Sequence, residues 1–284
     1  MNRLPSPYVY VGYHCNNNCI FCSESDHEYL NSIGGLIPID KVKEDLKKAR
    51  EIYSSINFMG REPTMRRDLP ELIAYAKKLG FENIGISTNG RVLSYESYAR
   101  NLINTGLTQI GMSFYSHIPS HYDEQSGVPG SYNQAIEAIK NVIRLKPPKL
   151  SLLVNIPLNN KNVDDLDGAV ELLIGLGVKE INILWVAPLS RKSMTKEITG
   201  RMSDLGNLAA RVAIKHENRA KFWLNEFLPC SLEREHRGLF FNCLEKNPLK
   251  IRIPLCSDCC YSDKCDGVLS TYIDLYGSEE FNLD

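Results

Sequence analysis

Between Tyr8 and about Lys215, short apolar runs alternate with longer amphipathic segments, and this alternation restricts the chain to βα units around a parallel sheet. The predicted strands are Tyr8–Tyr13, Ser55–Met59, Asn83–Ser87, Gln109–Ser113, Lys149–Ile156 and Glu180–Val186. The predicted helices are Asp40–Tyr53, Asp68–Leu79, Ser94–Asn104, Tyr132–Leu145, Val163–Leu176 and Thr195–Lys215. Six such units with one crossover each make either an open doubly wound sheet or a partial barrel.

Past Lys215 the pattern fails. Phe222–Leu228 and Lys250–Pro254 read as two short strands, and the remainder is rich in Cys, Asp and Gly. So few apolar residues cannot stabilise a core alone, so residues 216–284 are expected to form a small metal-supported module behind a barrel of residues 1–215. The net charge of −1 provides no field for nucleic acid or an anionic membrane, so neither is expected as a partner. The first residues contain no apolar signal core, and no later stretch approaches the roughly 18 uncharged apolar residues of a membrane span. Nine cysteines is an odd number, and they fall into two tight groups with only Cys230 and Cys243 between them, which suits metal ligation better than a disulfide framework; a cytoplasmic location is expected.

The first group is Cys15-Asn-Asn-Asn-Cys19-Ile-Phe-Cys22, directly after the first predicted strand, where a barrel strand ends and its functional loop begins. Three thiolates on one short loop can each bind a different iron of a four-iron cluster and leave the fourth iron open. A structural zinc site is the alternative, and it requires a fourth ligand nearby. His14 is available, but side chains alternate along a strand end, which turns it away from Cys15.

Further motifs fall at the ends of successive strands. Met59-Gly60-Arg61-Glu62-Pro63 follows the second, Ser87-Thr88-Asn89-Gly90 the third, Ser113 ends the fourth, Asn155 lies near the end of the fifth, and Leu184-Trp185-Val186 ends the sixth. Any one of these has a bland reading as turn chemistry or core packing. Their joint placement at the carboxyl ends of the strands is where barrel enzymes build sites.

Taken together, the Cys15/Cys19/Cys22 spacing with aromatic Phe21, the Gly60–Pro63 turn and the Asn89-Gly90 turn resemble the radical S-adenosylmethionine (SAM) superfamily across roughly residues 8–190. The resemblance implies an α/β fold of the partial (βα)6 TIM-like barrel type, and a redox-active [4Fe-4S] cluster on the three cysteines whose open iron is chelated by SAM. It further implies SAM contacts from Phe21, Gly60, Glu62, Pro63, Ser87, Asn89, Ser113 and Asn155, with Glu62 accepting from the SAM ammonium and Trp185 walling the adenine. Arg61 stands where the family has a second glycine, a departure that bears on the turn's conformation.

The second group reads Cys256-Ser-Asp-Cys259-Cys260-Tyr-Ser-Asp-Lys-Cys265. It resembles the twitch or SPASM-type modules that follow many radical SAM barrels and hold a second, auxiliary [4Fe-4S] cluster. Cys256, Cys259 and Cys265 are the implied ligands, with Cys230 as the first choice for the fourth and Cys243 and Cys260 as reserves; a zinc knuckle is the alternative. The implied activity is reductive cleavage of SAM to a 5′-deoxyadenosyl radical that abstracts hydrogen from a substrate, with an electron donor such as flavodoxin or ferredoxin as partner. Ser113–His117, Ser126–Ser131 and the tail look similar to peptide maturases, so a peptide or protein is the leading expectation for substrate. A small molecule (sugar, nucleoside or cofactor precursor) is the second, and a non-catalytic iron–sulfur or zinc protein the third.

Overall fold

The structure, a computed structural model, describes residues 7–23, 35–239 and 248–283. Seven parallel strands form one sheet in chain order: β1 Tyr8–Tyr10, β2 Ser55–Met59, β3 Asn83–Thr88, β4 Gln109–Ser113, β5 Ser151–Leu158, β6 Glu180–Trp185 and β7 Lys221–Asn225. Strictly sequential order of parallel strands is the topology of a partial TIM-like barrel, and it excludes the doubly wound alternative, whose strand order reverses. Six strands were predicted and seven are present. The segment read as the first strand of the tail pairs in parallel with β6, placing Ile181 against Phe222 and Leu184 against Asn225.

The helices are α1 Ile39–Ile52, α2 Leu69–Lys78, α3 Glu96–Asn104, α4 Pro119–Ser126, α5 Ser131–Leu145, α6 Leu166–Gly175, α7 Met202–His216 and α8 Ser270–Tyr276. In α7, Met202, Leu205, Ala209 and Val212 recur at helical spacing and are buried, with Asp204 in the first turn and Lys215 and His216 in the last, where the helix dipole favours them. Residues 195–201, predicted as the start of that helix, are instead turns. A two-stranded antiparallel ribbon, β8 Lys250–Ile251 with β9 Val268–Leu269, carries the cysteine-rich tail.

Alternation along the strands separates two faces. Ile56, Phe58, Ile84, Ile86, Ile110, Met112, Val154, Ile181, Ile183 and Leu224 are buried beneath the helices. The residues between them line the inner face and are polar or small: Asn57 donates to Ser87 Oγ at 2.8 Å, and Asn182 to Asn155 Oδ1 at 2.8 Å. A side chain on Gly111 would stand against Asn155 and Ser87. Among the described residues no helix is long and apolar enough to cross a membrane.

Candidate active site

The loop after β1 carries Cys15, Cys19 and Cys22, and three separate segments hold it. From the end of α4, the Ser126 carbonyl accepts from Asn18 N at 2.8 Å and the Gln125 carbonyl from Ile20 N at 3.1 Å. Gly127, in the left-handed region at φ +68°, permits this approach, because a Cβ there would lie 2.4 Å from the Asn18 carbonyl oxygen. Arg91 reaches across from the turn after β3, donating to the Asn16 carbonyl and to Asn17 Oδ1. From the loop after β6, Ser190 Oγ donates to the Cys22 carbonyl at 2.8 Å and Lys192 Nζ to the Cys19 carbonyl at 3.1 Å. Neither Arg91 nor this β6 loop was singled out from sequence, because both act across long separations that no local pattern records.

The sulfurs sit among donors. Asn17 N–H lies 3.3 Å and Asn89 Nδ2 3.8 Å from Cys15 Sγ, and the Tyr115 hydroxyl lies 3.7 Å from Cys19 Sγ. Burial pushes the Cys15 thiol up to about 12, against the Asn17 N–H and with the charges of Glu62, Cys19 and Cys22, and burial likewise raises Cys19. Such thiols keep their protons unless a metal replaces them, and convergent N–H and O–H donors are what cluster-bound thiolates take. The donor set fits the iron–sulfur group that the spacing implies.

The turn after β2 closes over this loop. Gly60 has φ +115°, and a Cβ there would meet the Gly12 carbonyl oxygen at 2.4 Å, so only glycine fits. Arg61 keeps the left-handed conformation, φ +43°, that a glycine would take most easily, and its guanidinium donates to the Tyr13 carbonyl at 2.9 Å. Pro63 opens a short 3-10 helix and is buried.

Glu62 is 2% exposed, and its carboxylate accepts from Thr64 N, the Thr64 hydroxyl, Thr88 Oγ1 at 2.6 Å and Asn89 N at 2.7 Å. Burial raises its pKa against these bonds. Three of these bonds fall on Oε1 and the Asn89 N–H on Oε2, and together they tie the β2 turn to the β3 turn.

Phe21 stands edge-on to Tyr115 with ring centroids 5.4 Å apart, and Asn89 Nδ2 donates to Asn16 Oδ1 at 2.7 Å, so both belong to the cluster loop's surroundings. Ser87, Ser113 and Asn155 share the inner face. Trp185 does not, which differs from its expected place against the adenine. It is 1% exposed on the helix side of β6, donates its indole N–H to the Gly200 carbonyl at 3.1 Å and meets Tyr272 of α8 edge-on at 5.2 Å. Leu184, one residue earlier, occupies the inner face in its place.

In the tail, Cys230, Cys256, Cys259 and Cys265 line one cavity together with Leu228, Arg252 and Tyr261. Burial and the proximity of the other three cysteines push the Cys230 thiol up to about 12. Cys260 is exposed and outside this lining, and Cys243 lies outside the described residues. Tetrahedral zinc at about 2.3 Å from each sulfur would draw the thiolates to within about 4 Å of one another. Among the described residues no three cysteine sulfurs lie mutually within 4.8 Å.

With both cysteine sites placed, comparison with known proteins decides the family. Residues 9–173 match the Radical SAM superfamily. The chain belongs to the radical SAM superfamily. Similar relatives include proteins of Saccharolobus islandicus, 28% identical over 224 residues, covering 77% of this chain and 69% of theirs, and of Sulfurisphaera tokodaii, 29% identical over 212 residues, covering 74% and 64%. Both carry the name "Probable GTP 3′,8-cyclase".

Among solved structures, Streptococcus suis SuiB bound to S-adenosylmethionine superposes with a TM-score of 0.71 at 15% identity, covering 99% of this chain and 76% of SuiB. The anSMEcpe structure with bound AdoMet and the Kp18Cys peptide gives 0.55 at 14%, covering 77% and 64%. At such identities these structures speak to the fold alone. A second SuiB structure is matched by 79% of this chain over 50% of its own length.

Proposed function

We propose that this radical SAM enzyme acts on a small, nucleotide-like substrate, with GTP the first candidate, rather than on a peptide. The observation that carries the reading is the 28–29% identity with proteins named as GTP 3′,8-cyclases across some three quarters of the chain, whereas likeness to the peptide-bound structures is one of fold only. The small-molecule alternative therefore displaces the peptide expectation as the main reading.

In this proposal Cys15, Cys19 and Cys22 hold the SAM-binding [4Fe-4S] cluster, and Cys230, Cys256, Cys259 and Cys265 hold an auxiliary one. When bound, the first cluster and SAM supply reductive cleavage to a 5′-deoxyadenosyl radical. The protein's own residues provide placement. Glu62 and Gly60 fix the β2 turn against the cluster loop, Asn89 bridges that loop to the β3 turn, and Ser87, Ser113 and Asn155 furnish polar groups on the inner face.

The test is anaerobic incubation of the reconstituted chain with SAM, dithionite and each nucleoside triphosphate in turn. GTP should accelerate 5′-deoxyadenosine formation and be consumed with it. If 5′-deoxyadenosine forms at the same rate with every nucleotide and none is altered, the nucleotide reading is wrong and only the family chemistry stands.

A further inference from the structure

We infer that Tyr115 is a positioning residue for the cluster proposed at Cys15, Cys19 and Cys22: its hydroxyl donates a hydrogen bond to the Cys19 sulfur and makes that cluster easier to reduce. The inference rests on the proposed cluster reading. It is carried by three features of the site, each involving a group that the spacing motif does not contain.

First, the hydroxyl lies 3.7 Å from Cys19 Sγ, within hydrogen-bond reach of sulfur, and Tyr115 is 3% exposed, so water does not compete for it. A thiolate ligand carries no proton, so in that pair the tyrosine must be the donor. Second, Asn17 Nδ2 approaches the same oxygen at 3.5 Å and occupies a lone pair, which turns the hydroxyl proton toward the sulfur. Third, the ring cannot swing away. Phe21 stands edge-on at 5.4 Å, Tyr122 packs at 4.7 Å, and the Tyr115 carbonyl accepts from Asn162 Nδ2 at 2.9 Å.

Cys15 receives its own donors from the Asn17 backbone and the Asn89 amide, so Tyr115 serves Cys19 separately. Each electron taken up adds negative charge at the sulfurs. A fixed donor therefore favours the reduced state, and hydrogen bonds to the sulfurs are among the factors that set such potentials.

The experiment is an EPR-monitored redox titration of the full reconstituted chain, with the barrel cluster recognised by the change of its signal on adding SAM. Tyr115→Phe should keep its iron and the SAM-responsive signal, while the ratio of reduced to oxidised cluster at a fixed potential falls about tenfold, a shift of about 59 mV for one electron. Tyr122→Phe, which removes the neighbouring phenol, should leave the ratio unchanged. Incorporation of 3-fluorotyrosine at position 115, a stronger donor of the same shape, should raise it.

An unchanged potential in Tyr115→Phe with iron retained overturns the inference. Should that variant fail to hold iron, the fluorotyrosine chain decides, and a potential that does not rise overturns it. A wild-type chain without any SAM-responsive signal would overturn the cluster assignment, and this inference with it.

Discussion

Glu62 has structural partners that its motif does not show. Its four donors come from Thr64, Thr88 and Asn89, and the last two are 26 and 27 residues away. Glu62→Gln would set an amide N–H₂ against one of these N–H or O–H groups. Leaving a buried donor unsatisfied costs about 1–3 kcal/mol. The expected outcome is a lowered melting temperature of the apo-protein together with weaker SAM binding; weaker SAM binding at an unchanged melting temperature would assign the carboxylate to the SAM ammonium alone. Gly60→Ala should be worse, since the added methyl meets the Gly12 carbonyl at 2.4 Å in a backbone region that alanine seldom adopts. Trp185 lies on the opposite side of its strand from the one expected. Parallel strands are buried on both faces, so their sequences read as continuous apolar runs, and nothing in Leu184-Trp185-Val186 shows which side faces inward.

At the scale of elements, strands and long amphipathic helices were legible to within a few residues except at the start of α7, seven residues later than expected, and what escaped was short or uncharacteristic. Helix α4, Pro119–Ser126, has no clear apolar stripe, yet it supplies the two carbonyls that pair with the cluster loop. Asp123 fixes its position relative to α5, accepting from Gly130 N at 2.6 Å, Ser131 Oγ at 2.9 Å and Tyr132 N at 2.9 Å. Burial raises the Asp123 pKa, but the N–H groups of Tyr132 and Gly130 and the Ser131 hydroxyl outweigh it and hold the carboxyl below its ordinary value. A carboxyl depressed in the folded state stabilises the protein above its unfolded pKa of about 3.9, and that contribution is lost as pH falls through the folded value. Asp123→Ala removes a cap of the first turn of α5 and should cost about 1–2 kcal/mol in urea unfolding at pH 7. The gap between wild type and variant should narrow as the pH falls below about 4. A gap that stays constant with pH would show that packing, not the charged acceptor, is what Asp123 contributes.

Across the whole molecule, Cys230 joins the barrel to the tail. It sits just after β7, within the run that closes the sheet, while Cys256, Cys259 and Cys265 belong to the segment between β8 and β9. The chain's end fastens onto the same place: Asn282 N donates to the Cys230 carbonyl at 2.9 Å, Glu280 accepts from the Tyr272 hydroxyl and from Ser203 N at 2.8 Å, and Tyr272 packs on Trp185. The two-and-five-residue cysteine spacing was legible in the sequence, and so was the need for a distant fourth thiolate. That Cys230, the proposed fourth, follows a strand of the barrel sheet required the fold, because β7 looked like part of the tail. Cys230→Ala should therefore lower iron from about eight to about four atoms per chain, the content of one four-iron cluster instead of two. It should also leave the region beyond residue 248 more readily cleaved by protease, since bound metal and tail folding are coupled. Cys15, Cys19 and Cys22 are untouched by the change, so SAM cleavage to 5′-deoxyadenosine should persist while conversion of the substrate fails. Full iron content in the variant would move the fourth ligand to another residue. Loss of SAM cleavage despite an intact barrel-cluster signal would show that the tail cluster supplies or organises the first electron transfer.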